Sequence, residues 1–168
     1  MNYLDPDQAG QFLAQTAAPP PPRPDMPATY SAFDLRDKTF PPVRFAVEGL
    51  IPQGLTLLAG KPKLGKSWLM LDFALAVATG GQALGRDCAA GNVLYAALED
   101  HAPRMQWRLD QLADRDAWPR ELELWHDMKR VDLGGDHQLA QWIETRPDPR
   151  LIIIDVYTKV RRPLQGRE

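Results

Sequence analysis

From Phe45 onward, short apolar blocks alternate with glycines and charged residues, and the period of the apolar positions changes from block to block. Leu55-Thr56-Leu57-Leu58-Ala59, bounded by Gly54 and Gly60, has the length and apolarity of a buried parallel strand. Trp68, Leu69, Leu71, Leu75 and Val77, with alanines between them, recur at helical spacing as far as Thr79-Gly80-Gly81. Glycine there can take the left-handed cap that ends a helix. A second buried strand is expected over 92–98, followed by a helix through Arg104, Trp107, Arg108, Leu109 and Leu112. Leu122 to Trp125 reads as a third, weaker strand. Gly134-Gly135-Asp136 opens a helix with Leu139, Trp142 and Ile143 on one face, Asp136 being a suitable N-cap. The most apolar strand of all is Leu151-Ile152-Ile153-Ile154-Asp155.

Strands alternating with helices imply an α/β fold, a mainly parallel sheet covered by helices on both faces. Ligands of such sheets bind at the carboxyl ends of the strands. The loop after Ala59, the residues after Leu98 and the end of the last strand therefore share one rim.

Before the alternation begins, Pro19-Pro20-Pro21-Pro22-Arg23-Pro24-Asp25-Met26-Pro27 excludes helix and central strand, since proline lacks the N–H and clashes with a preceding turn. It reads as a stiff spacer, or less readily as a ligand for a proline-binding partner. The expected organisation is a poorly ordered segment over 1–30, with room for a short helix through Phe12-Leu13, and one α/β domain over 31–168. A net charge of -2 provides no field that would draw the whole molecule onto nucleic acid or an anionic membrane. The single cysteine, Cys88, excludes an internal disulfide, and no apolar run approaches the roughly 20 residues of a membrane span. Without a basic and apolar leader at Met1 to Asp5, the expectation is a cytoplasmic protein without membrane contact.

Gly60-Lys61-Pro62-Lys63-Leu64-Gly65-Lys66-Ser67 fits G-x-x-x-x-G-K-[ST] and lies between an expected strand and an expected helix, the context that gives the pattern meaning. Its glycines let backbone N–H groups turn inward around phosphates, and the helix start adds its positive dipole end. Gly60 to Ser67, with Trp68 following, form the expected ATP-binding set. Within it Lys66 reaches the β- and γ-phosphates, and the Ser67 hydroxyl binds Mg²⁺. Asp155, closing an apolar strand, fits a carboxylate that holds Mg²⁺ partly through water, although buried strands also end in aspartate as a cap. Glu99 stands where a general base can meet the attacking water, with a solvated side chain as the alternative. Asp100 then reads as the N-cap of the next helix.

The runs 47–55, 60–68 and 93–100, with Arg104 and Arg108 after them, resemble the RepA-like branch of the RecA/DnaB-type P-loop ATPases, which includes hexameric replicative helicases of plasmids and phages. The resemblance covers about residues 40–160. It implies a three-layer RecA-like core, ATP hydrolysis with Glu99 and Lys66 as catalytic residues, ring assembly and action on single-stranded DNA. Family members continue past the Walker B strand with further strands and an arginine finger. This sequence ends at Glu168, so the resemblance also implies a core with its C-terminal strands missing.

Two other classes compete with an ATPase of a DNA-translocating ring. One is a truncated nucleotide-binding fragment with little or no hydrolysis, acting through contacts with other subunits. The other is a small-molecule kinase, for which residues 101–150 lack an arginine-rich lid. Arg104 and Arg108, four apart, either orient the acidic pair or form a solvated face. Arg161, Arg162 and Arg167 read as a solvated basic tail. His101, His126 and His137 lack metal-ligand spacing, and the five tryptophans read as core with one exception available for base stacking.

Overall fold

A computed structural model describes residues 30–163; the expected spacer at 19–27 and the short helix through Phe12-Leu13 lie outside them. The chain divides into two units, 1–41 and 42–168. In the first, one helical turn, α1 (Ala32–Leu35), starts at Ser31, whose hydroxyl accepts from the Asp34 N–H while the Asp34 carboxylate accepts from the Ser31 N–H. This reciprocal pairing satisfies two of the amides that a helix start leaves free.

The second unit holds a three-stranded parallel sheet in the order β6-β5-β7, made of β5 (Asn92–Ala97), β6 (Leu122–Trp125) and β7 (Pro149–Asp155). Two antiparallel hairpins accompany it. One joins β1 (Phe45–Val47) to β2 (Ile51–Pro52), and the other joins β3 (Gln82–Ala83) to β4 (Arg86–Asp87). The helices are α2 (Lys66–Thr79), α3 (Ala102–Leu112) and α4 (Gly135–Thr145). This is a mixed α/β architecture built on a parallel sheet.

Alternation along β5 sends Val93, Tyr95 and Ala97 to one face, where they join Leu71, Ala74, Leu75 and Val77 of α2 and Ile153 of β7 in the main core. Leu94 and Ala96 point to the other face and are also fully buried. They stand outside that cluster, as do Met128, Trp142 and Val160. Both faces of the sheet are thus covered, as a parallel sheet requires.

Helix α2 ends where the glycines stand. Gly80 takes φ 69°, and the Gly81 N–H returns 2.8 Å to the Ala76 carbonyl. A methyl at Gly80 would meet the Ala90 Cβ at 2.9 Å as well as the left-handed backbone penalty. Gly80→Ala is therefore expected to lower stability by about 1–2 kcal/mol in urea unfolding. An unchanged midpoint would contradict it.

Several expectations need correction. Leu55 to Ala59 is not a strand: the segment is irregular, with Leu55 97% and Leu57 77% exposed. Apolarity says only that a segment gains by burial; a strand also needs a lateral partner for its N–H and C=O groups, and no described residue pairs with this one. Asp136 is not the cap of α4. Gly134, at φ 99°, holds that position, because the backbone must turn there to seat Gly135 against the main chain of Lys129 and Arg130. Asp136 lies in the first turn and accepts from the His137 N–H. On α4 only Trp142 is buried among the three expected apolar positions, and Ile143 faces solvent. The tryptophans are less buried than expected: Trp142 alone is fully buried, Trp118 is half-buried against the main core, Trp68 and Trp125 are half-buried, and Trp107 is exposed.

Candidate functional site

The phosphate-loop segment turns through two left-handed residues, Lys63 at φ 65° and Gly65 at φ 81°. Gly65 is the N-cap of α2 and has no side chain to offer the first-turn amides. Those N–H groups, from Lys66 onward, lack intrahelical acceptors and point out of the helix start together with its positive dipole end. A non-glycine residue in the left-handed region carries local strain, which persists when surrounding structure fixes it. The Lys66 Nζ folds back and donates to the carbonyls of Gly60 and Lys61, each at 2.8 Å. The ammonium is thereby held over the loop, with one donor still free.

The parallel register brings the two acidic segments to the same rim. Ala97 lies opposite Asp155, and the Leu98 N–H donates 2.8 Å to the Asp155 carbonyl. Glu99 and Asp100 follow at once. A cleft of about 160 Å³ is lined by Ser67, Ala97, Glu99, Asp100, Arg104, Arg108 and Asp155. Ser67, Glu99 and Asp155, expected from the sequence to act together, do line one cleft. Gly60 to Gly65 precede it on the exposed loop, Lys66 is the half-buried first residue of α2, and Trp68 lies one residue beyond Ser67 along the same helix.

Asp100 does not cap α3. His101 takes that position, its Nδ1 accepting from the Arg104 N–H at 3.3 Å. The Asp100 carboxylate is occupied by two cations instead: Arg108 Nη1 at 2.6 Å and Arg104 Nε at 3.2 Å. Arg104 remains mostly exposed, whereas Arg108 and Asp100 are both almost withdrawn from water. The Arg108 guanidinium lies 5.4 Å from the Trp68 ring centre, and the Trp107 ring meets Trp68 edge-on at 5.6 Å. Arg108 Nε has no hydrogen-bond partner among the described residues, and Nη1 faces Asp100 off the hydrogen-bonding direction. Of the two readings of the arginine pair, a solvated salt-bridging face fits Arg104, whereas Arg108 forms its salt bridge out of solvent.

Tyr95 was not singled out by sequence. Its ring is fully buried, and its hydroxyl lies 2.8 Å from Asp155 Oδ2 and 3.3 Å from the Ser67 carbonyl. Burial and the adjacent Asp155 charge push the phenol far above its ordinary pKa, so it is a proton donor throughout the working range. The only signal was a large hydroxylated aromatic within an otherwise small-residue strand end, two positions before Ala97.

The donor set suits a hard divalent cation: a serine hydroxyl, Asp155 with one oxygen facing away from Tyr95, and Glu99 nearby. Among the described residues there is no cluster of three or more His, Cys, Asp or Glu that would hold an ion alone. Mg²⁺ in phosphate sites is held in just this way, by one or two protein oxygens plus phosphates and water. When bound, such an ion neutralises charge on the β- and γ-phosphates. No described helix is long and apolar enough to cross a membrane.

No curated protein and no solved structure matches the chain at a significant level. A family model described as an AAA domain matches residues 19–165, a span that includes the phosphate loop, the Glu99-Asp100 rim and Asp155. Most of the sequence is covered, and the chain belongs to this family of P-loop ATPases with a nucleotide-binding AAA domain.

Proposed function

We propose that this chain is the Mg-ATP-binding and hydrolysing module of a RecA-type motor of the RepA-like branch. In that reading it acts on single-stranded DNA within a ring of like subunits, in replication of a mobile element. The observation that carries the catalytic part is the convergence of Ser67, Glu99 and Asp155 on one cleft behind the phosphate loop. The branch, the ring and the DNA rest on the resemblance of the runs 47–55, 60–68 and 93–100.

In this mechanism the loop amides and Lys66 hold the triphosphate, and Ser67 and Asp155 hold Mg²⁺, Asp155 partly through water. Glu99, exposed at the rim, orients a water for in-line attack on the γ-phosphorus and accepts its proton. Asp100 is excluded as the base by its two arginines, which hold both carboxylate oxygens.

A second reading, nucleotide binding with little turnover, draws support from the same ion pairs. Of the two arginines that line the cleft, Arg108 is buried against Asp100 and so is not free to meet charge developing on the transferred phosphoryl group, and Arg104 rests on the same carboxylate through Nε. In this class an arginine in that role accelerates hydrolysis by roughly 10³ to 10⁵. Single-turnover phosphate release separates the two readings. Glu99→Gln is expected to keep Mg-ATP affinity within about twofold and to slow phosphate release by at least about 100-fold. Release at the wild-type rate would assign the base elsewhere; wild-type release at background would leave the binding reading.

A further inference from the structure

Tyr95 sits on the same face of the sheet as Asp155, diagonal to it across the β5–β7 pair: Tyr95 is opposite Ile153, and Ala97 is opposite Asp155. A tyrosine two residues short of the rim can span that diagonal, because side chains on one face of neighbouring strands are within reach of long aromatic groups. Ala97 leaves the space beside Asp155 open, contributing only a methyl. The phenol has a single proton. At 2.8 Å the Asp155 carboxylate is its main acceptor, and at 3.3 Å the Ser67 carbonyl is a weaker second one. One buried hydroxyl therefore touches both elements that flank the cleft, the end of β7 and the first turn of α2.

We infer that Tyr95 is a positioning residue for the metal-nucleotide site: its phenol ties the Asp155 carboxylate to the Ser67 main chain and so sets which carboxylate oxygen faces the cleft. The inference rests on the reading that Ser67 and Asp155 hold the metal ion. A carboxylate at a strand end can rotate about its terminal torsion, which is broad. A strong donor on Oδ2 removes that freedom and directs Oδ1 outward. It also fixes the distance between the hydroxyl-bearing residue on α2 and the acid on β7. Groups that hydrogen-bond a metal-binding carboxylate in this way typically account for 10- to 100-fold in metal affinity.

The test uses the full chain, ADP, and Mn²⁺ as the probe ion, followed by electron paramagnetic resonance. Tyr95→Phe keeps the buried ring and removes only the hydroxyl. The expected result is an Mn²⁺ dissociation constant in the presence of ADP raised by about 10-fold, while ADP affinity measured in chelator stays at the wild-type value. In Asp155→Asn, adding Tyr95→Phe should cost little more, because the tyrosine acts through the carboxylate.

An unchanged Mn²⁺ affinity in Tyr95→Phe would overturn the inference. So would a parallel loss of metal-free ADP affinity, which would make the hydroxyl a prop of the fold, or a fully additive loss in the double variant. If Asp155→Asn weakens Mn²⁺ binding and Tyr95→Phe does not, the inference alone fails. If the wild type with ADP takes up no Mn²⁺, the metal-site reading fails and takes the inference with it.

Discussion

Lys66→Ala is expected to lower affinity for Mg-ATP by at least about 100-fold, measured by titration calorimetry, with the fold intact. The ammonium is the charge in the loop best placed for the β- and γ-phosphates, because the next residue is already Ser67 at the helix start. In the free chain its donors rest on the Gly60 and Lys61 carbonyls at 2.8 Å. Binding exchanges these neutral acceptors for charged phosphate oxygens, and hydrogen bonds between charged groups are worth roughly twice neutral ones. Each exchange replaces a bond of about 1.5 kcal/mol by one of about 3, so two exchanges gain about 3 kcal/mol, or two decades in affinity. Loss of α2 is not expected to mimic the effect. A positive side chain at a helix N-terminus is unfavourable to the helix dipole, so its removal should leave α2 as stable or slightly more so. Lys61→Ala and Lys63→Ala, on the exposed outer loop, should matter far less. Equal affinities in wild type and Lys66→Ala would remove the phosphate-loop assignment.

What could be read from sequence follows the range of the forces involved. The loop motif, the extent of α2 and its glycine stop depend on neighbours within a few residues, and each was legible. The strands at 92–97 and 149–155 were legible too, because a run as apolar as Ile152-Ile153-Ile154 has few alternatives to a sheet interior. The Leu55 to Ala59 run had the same apolar signature but no described strand to pair with. The two hairpins were missed because their strands are only two or three residues long, too short for period-two alternation to show. A cue was present for the second: Leu84-Gly85 forms its turn with both residues at positive φ, the arrangement that X-Gly pairs favour in two-residue hairpins. Glu99 and Asp155 could be placed on one rim because parallel strands align their carboxyl ends, whereas Ser67 reaches it from the first turn of α2 and not from the end of the strand expected at Leu55 to Ala59. Tyr95 could not, since its role depends on a register, Ala97 against Asp155, that only the folded sheet reveals.

The same limit explains Asp100 and Arg108, and it leads to the largest stability effect expected in this chain. Asp100, Arg104 and Arg108 are spaced by four, so sequence places them along one stripe; only the packing of Trp68 against Arg108 decides that the far end of the stripe is dry. Exposed pairs of this kind contribute at most about 1 kcal/mol, and Arg104, mostly in water, belongs with them. Arg108 does not. Its guanidinium is buried, its Nε already lacks a partner among the described residues, and Asp100 is the one acid within 4.0 Å of it there. Asp100→Ala would leave that charge buried and uncompensated, at a cost of about 3–5 kcal/mol in unfolding free energy. Removing both charges should be far milder: Asp100→Ala combined with Arg108→Leu is expected to recover most of the loss, because the penalty comes from the orphaned cation and not from a missing attraction. Urea unfolding of the wild type, Asp100→Ala, Arg108→Leu and the double variant measures this directly. A loss below about 1 kcal/mol in Asp100→Ala would mean that water reaches Arg108 and that the pair behaves as a surface one. A double variant no more stable than Asp100→Ala would show that Arg108 contributes through its contact with Trp68 instead.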